Sequence, residues 1–220
     1  MTSTLFDIKK AYYLLRTIRR TEEKIVEIYS SDKVKSPVHL SIGQEPIAVG
    51  VSMALRDEDV VFSNYRGHAH YLAKGGDLNG MWAELYGKEN GMSAGKAGSM
   101  HLMDKARYFM PASAIVASAI SNAVGYAMAL KMRGEDRIVL CFHGEGAADE
   151  GVFWESMNFA ALKKLPILFI CENNGYAIYS KQKARMTLQN IPEKTQSFGV
   201  AASSHSGEKT ADIFARTQQA

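Results

Sequence analysis

The sequence predicts an α/β fold, a parallel sheet flanked by helices. Two observations carry this. The runs "RIVLCF" (137–142) and "PILFICE" (166–172) are apolar without alternation, as expected of strands buried on both faces of a parallel sheet. Between them, residues Val152 to Lys164 show helical spacing, so strand, loop, helix and strand form a βαβ unit with a right-handed crossover.

The remaining elements follow in order. Apolar side chains at Ile8, Tyr12, Leu15, Ile18, Ile25 and Ile28 recur at spacings of three and four, which predicts one or two long helices within an N-terminal helical segment at about 1–35. "GQEPIAVGVSMALR" places a proline near a helix start. "DVVFSNY" is a short strand, Gly75 to Gly87 a helix, and "GKENGMSAGKAGSMHLMD" a glycine-rich loop. "SAISNAVGYAMALKMRG" is a small-residue helix ending at Gly134. The final "HSGEKTADIFARTQQA" reads as a turn and an amphipathic helix with no strand after it. An α/β chain normally returns to its sheet, so the sequence reads as cut short. The 220 residues suffice for a single domain with a well-buried core.

Composition narrows the function classes. The chain is 46% hydrophobic and 22% charged, with a formal charge of +3. That balance is too mild, and Lys and Arg too evenly scattered, for a nucleic-acid partner. Cys141 and Cys171 lie in strand-like runs without a C-x-x-C pattern, which favours reduced thiols. No signal-peptide layout and no membrane-length apolar run is present. The expected compartment is therefore cytoplasmic.

The chemistry concentrates in "HGEGAADEG" (143–151). A βαβ unit puts the C-terminal ends of its strands on one sheet edge, where ligands of open α/β sheets bind. Glu145 after the first strand and Asn173 and Asn174 after the second should converge there. A carboxylate and an amide oxygen are hard ligands suited to Mg²⁺ or Ca²⁺ and poor for zinc. Gly144 and Gly146 allow close backbone approach to a phosphate beside a helix N-terminus, which Asp149 and Glu150 would serve. The expectation is a metal-bridged diphosphate.

Two other motifs compete. His68 and His70 alternate as ligands on one strand face would, with His39, His101 and His143 as further candidates; hydrogen-bonded histidines around a cleft are the alternative. "GMSAGKAGS" lacks the spacing and the Ser or Thr after lysine of a Walker A loop, and a loop against a neighbouring subunit is preferred. Trp154, Met157 and Phe159 at helical spacing read as core or interface.

Gly144-Glu145-Gly146 followed by Asn173-Asn174 resembles the thiamine diphosphate binding motif. The stretch "GEGAADEGVFWESMNFAALKKLPILFICENNGYAI" is similar to the α subunit of the E1 component of 2-oxo acid dehydrogenases of pyruvate, acetoin and branched-chain type. The likeness continues through "HLSIGQEPIAVG", "NYRGHAHYLAKG" and "GKAGSMHLMD". It implies a thiamine diphosphate-binding fold with Glu145, Asn174 and the Tyr176 carbonyl as Mg²⁺ ligands. Tyr65 and Arg66 would hold the diphosphate, and Val116 and Ala114 would line the aminopyrimidine. Gly144, Gly146 and Ala147 would give backbone contacts, and His39 would support proton transfer. Most members carry Asp at Glu145, though branched-chain members carry Glu. Pyruvate-type members have Gly at Ala114 and Ala117, where a methyl narrows the pocket.

The implied activity is oxidative decarboxylation of a 2-oxo acid (or acetoin cleavage), with acyl transfer to a lipoyl-bearing E2. The activating glutamate would come from an E1 β subunit in an α2β2 heterotetramer, so this chain alone would be inactive. A second catalytic histidine and its loop would lie beyond the chain's end. The alternatives are a stand-alone thiamine diphosphate lyase or transferase of biosynthesis, and a non-catalytic structural paralogue.

Overall fold

A computed structural model describes residues 5–220; the first four residues of the helical segment expected at about 1–35 lie outside the described residues. In chain order the elements are α1 (Ile8–Tyr29), α2 (Glu45–Ala54), β1 (Val60–Phe62), α3 (His68–Ala73), α4 (Leu78–Leu85) and α5 (Ser118–Arg133). Then come β2 (Val139–Gly144), a 3₁₀ turn at Glu145–Asp149, α6 (Gly151–Lys163) and β3 (Ile167–Glu172). The chain continues through β4 (Tyr176–Ala177), β5 (Ser180–Lys181), α7 (Gln182–Arg185), α8 (Ile191–Gln196) and α9 (Thr210–Gln219). Two compact units result. One takes the residues up to Glu58 with Tyr65–Ala112 and Ser206–Ala220, the other Asp59–Asn64 with Ser113–His205.

The first unit is helical. Asp7 caps α1 by accepting from the N–H groups of Lys9 and Lys10, which satisfies donors that a helix start leaves unpaired. α1 is one helix, and its inner face buries Ala11, Ile18 and Ile25 at the heptad-like spacing that keeps side chains on one side. It packs on α2 and α3, and α2 packs on α9. A Cβ at Gly50 would lie 2.7 Å from the Thr210 carbonyl oxygen, so the expected C-terminal helix docks where only glycine fits. Phe6 and Phe214 close that contact with ring centroids 5.4 Å apart.

The second unit holds the sheet, in the order β1-β2-β3 with all pairs parallel. Val139 to Phe142 are fully buried, as the unbroken apolar run requires. α5 packs on the sheet and against α6; it turns its small side chains Ala123 and Ala127 inward and ends at Gly134 in the left-handed region. β3 differs from expectation. Its residues Ile167 to Cys171 are only half-buried at one edge of the sheet, whereas β1 at the other edge is buried throughout.

Several local assignments also change. The expected loop after β2 is a 3₁₀ turn. His68 and His70 lie in α3, not on a strand. Met157 is core, whereas Phe159 is exposed and the buried aromatic of α6 is Phe153. Among the described residues no helix is long and apolar enough to cross a membrane.

Candidate cofactor and metal site

In the second unit, Gly144 pairs with Glu172 at the end of the β2–β3 ladder. Glu145 and the pair Asn173-Asn174 therefore leave the sheet at the same edge. Beyond β1, Asn64 bridges to Ser113 in parallel. The Ser113 hydroxyl accepts from the Ile115 N–H (3.1 Å) and from the Ser118 hydroxyl (2.9 Å). These bonds fix the loop carrying Ala114 and Val116 to the end of β1.

Glu145 is 1% exposed. Its Oε1 accepts from Arg185 Nη2 at 2.6 Å, and Arg185 also pairs with Asp149. Burial pushes the Glu145 carboxyl above its ordinary range, while the guanidinium opposes the rise. Asp149 and Glu150 do stand at the start of α6, as expected; Asp149 also pairs with Arg185, and Glu150, the N-cap residue, makes no side-chain cap bond.

The two asparagines build a turn. Asn173 Oδ1 accepts from the Gly175 N–H at 2.9 Å, and Asn174 Oδ1 from the Tyr176 N–H at 3.0 Å. Such side-chain-to-backbone bonds mimic a turn and redirect the chain, here into the β4–β5 hairpin. Asn173 Nδ2 also donates to Gln182 Oε1. A Cβ at Gly146 would lie 2.9 Å from Ala177 Cβ, so only glycine lets the turn after β2 approach this hairpin. A Cβ at Gly144 would meet nothing within 4 Å, and Ala147 is buried. The oxygen set of Glu145, Asn174 and the Tyr176 carbonyl fits a hard divalent cation by donor chemistry.

Ala117 explains itself through backbone conformation. It is the N-cap of α5 at φ 64° and ψ −11°, a region that costs a residue with a Cβ roughly 1–2 kcal/mol. Glycine at this position removes that strain. Ala117→Gly is expected to raise stability by about 0.5–1 kcal/mol in urea denaturation, the gain trimmed by greater freedom of the unfolded chain.

The first unit assembles another cluster. The His39 and Tyr65 rings lie 4.5 Å apart. The Arg66 guanidinium donates to the Leu40 carbonyl. Burial, then the charges of Arg66 and His68, lower the His39 pKa, which keeps the imidazole neutral at pH 7. Buried beneath is a chain that sequence reasoning missed. Glu22 of α1 accepts from the Ser41 N–H at 2.9 Å and meets His68 Nδ1 at 3.1 Å, and His68 Nε2 lies 2.7 Å from the Ser99 hydroxyl. Arg19 reaches Glu45 at 2.6 Å, and Glu45 accepts from the Gly43 N–H. The segment carrying His39 is thus held to α1 by two carboxylates.

The histidines do not form a metal centre. His101 Nδ1 meets the Ala112 carbonyl, and His143 Nδ1 the Gly144 carbonyl. Among the described residues no three His, Cys, Asp or Glu side chains gather as metal ligands. The glycine-rich loop folds around a carboxylate of its own. Glu84 accepts from the N–H groups of Ser93 (2.8 Å), Gly95 (3.0 Å), Ala97 (2.7 Å) and Gly98 (3.0 Å). Cys141 is buried and Cys171 half-buried; burial pushes both thiols up to about 12, so both are protonated and inert at neutral pH.

Comparison with known proteins agrees with this architecture. The family model described as "Dehydrogenase E1 component" matches residues 13–208. The pyruvate dehydrogenase E1 component subunit alpha of Rhizobium meliloti is 40% identical over 194 residues, 88% of this chain and 56% of that protein. The subunit alpha of the acetoin:2,6-dichlorophenolindophenol oxidoreductase of Bacillus subtilis is 34% identical over 209 residues, 95% of this chain and 63% of that one. The chain thus spans little more than half the length of these relatives. Transketolase from Campylobacter jejuni shares the fold, with a TM-score of 0.76 at 18% identity over 98% of this chain and 36% of its own. The match over residues 13–208, with the GEG turn and the NN turn meeting at one sheet edge, places this chain in the dehydrogenase E1 component family.

Proposed function

We propose that this chain is the α subunit of a thiamine diphosphate dependent 2-oxo acid or acetoin dehydrogenase, residues 1–220 forming one E1 α-like domain. The observation that carries the reading is that Glu145 and the Asn174–Tyr176 turn follow directly on the paired ends of β2 and β3. It supports three oxygen donors beside a glycine turn, in a chain whose relatives are E1 α subunits.

In this reading Glu145 Oε, Asn174 Oδ1 and the Tyr176 carbonyl hold Mg²⁺. Tyr65 and Arg66 hold the diphosphate, Arg by its planar fork. Gly144, Gly146 and Ala147 face it through their backbone, and Ala114 and Val116 contact the aminopyrimidine. Bound thiamine diphosphate supplies the electron sink for cleavage next to a carbonyl. His39, kept neutral by its surroundings, can accept a proton from the reacting substrate or return one. The glutamate that activates the cofactor belongs to an E1 β subunit, in an α2β2 assembly in the cytoplasm, and the acyl group leaves on a lipoyl-bearing E2.

Calorimetric titration of thiamine diphosphate tests the reading. Saturable heat that requires Mg²⁺ is expected for the wild type, with Arg66→Lys about tenfold weaker because one point charge replaces a bidentate fork. Binding that ignores Mg²⁺, or no binding even when an E1 β subunit is supplied, would sink the assignment and favour a structural paralogue.

A further inference from the structure

Arg185 lies outside every motif above, yet it grips the centre of the proposed metal site. Its Nη2 donates to Glu145 Oε1 at 2.6 Å, Nη1 pairs with Asp149, and Nε points to the Ser180 carbonyl at 3.4 Å. The side chain is 14% exposed and that of Glu145 is 1% exposed. A carboxylate this buried needs an opposite charge, and the guanidinium supplies it. Arg185 closes α7, directly after the β4–β5 hairpin whose first residue is Tyr176. One side chain therefore ties Glu145 to the segment that carries two of the other proposed donors.

We propose that Arg185 is an internal counter-cation that holds Glu145 and competes with the divalent metal for it. This rests on the metal-ligand reading given under Proposed function. A divalent ion on Glu145 brings two further positive charges against a guanidinium within hydrogen-bond distance of the same carboxylate. In a buried setting that repulsion is strong, and Arg185 gives up Glu145 while Asp149 keeps it nearby.

The test uses the 220-residue chain with thiamine diphosphate and Mn²⁺ as the metal probe, read by electron paramagnetic resonance. Arg185→Gln is expected to bind Mn²⁺ about tenfold more tightly than wild type, because the competitor is gone. Arg185→Lys, which keeps the charge, is expected to return toward wild-type affinity. If wild type binds Mn²⁺ while Arg185→Gln binds equally or more weakly, Arg185 is a structural tie and the metal-ligand reading stands without it. Absence of Mn²⁺ binding in every protein, even with an E1 β subunit supplied, would overturn both.

Discussion

Glu145→Ala is expected to lower Mg²⁺-dependent thiamine diphosphate affinity by more than about 100-fold. Losing even a group that only supports a metal ligand costs about 10–100-fold, and Glu145 is proposed as the one charged ligand. The substitution has a second effect. It leaves Arg185 with Asp149 alone, in a site where breaking one member of a buried ion pair costs about 3 kcal/mol or more. Thermal unfolding should therefore fall by roughly 6–12 °C for a chain of this size. Glu145→Asp separates the two effects. Asp retains the charge on a side chain one methylene shorter, so cofactor affinity should stay within about tenfold of wild type. Calorimetry and thermal melting on the same preparations check both. Cofactor affinity left unchanged in Glu145→Ala would remove Glu145 from the ligand set.

Glu84→Ala should destabilise the chain by about 3 kcal/mol, although Glu84 belongs to no proposed site. Its carboxylate takes four backbone N–H groups of the 93–98 loop, and leaving even part of such donors unpaired costs about 1–3 kcal/mol each. Glu84→Gln should lose nearly as much, because its amide NH₂ would point at donors instead of accepting from them. A pH effect follows. Burial alone would raise the Glu84 carboxyl, yet the four N–H groups together hold it below its ordinary value of 4.5. A depressed carboxylate contributes stability that is fully present above 4.5 and is lost as pH falls through its folded value. Urea unfolding at pH 7 and in steps below 4.5 checks this. Wild type should lose stability across that range relative to Glu84→Gln, and parallel curves would rule the contribution out.

The elements legible in sequence were those with a strong local signal. β2 announced itself by an unbroken apolar run, α5 by small residues ending at Gly134, and α1 by its heptad-like stripe. The short pieces were not legible. β4, β5 and α7 have two to four residues each, too few for any periodicity to develop. They exist because Asn173 and Asn174 bend the chain and Gln182 anchors it. The edge character of β3 was equally hidden, since an apolar run does not say how many neighbours a strand has.

Chemistry divided along the same line. Glu145 and Asn174 could be placed at one sheet edge because the turn that follows a parallel strand fixes where its residues emerge, and that turn is written in adjacent letters; Tyr176 entered only through the family resemblance. Arg185 pairs with Glu145 across forty positions, and Glu22 meets His68 across forty-six. Neither spacing has a period that a helix or strand imposes. The sequence by itself therefore determined the α/β class, the sheet edge and the oxygen-bearing side chains offered there. Which cation balances the buried Glu145, and which carboxylate fills the glycine loop, was decided only by tertiary structure. Charge pairing acts through space, and only folding sets the distances at which burial makes a partner obligatory.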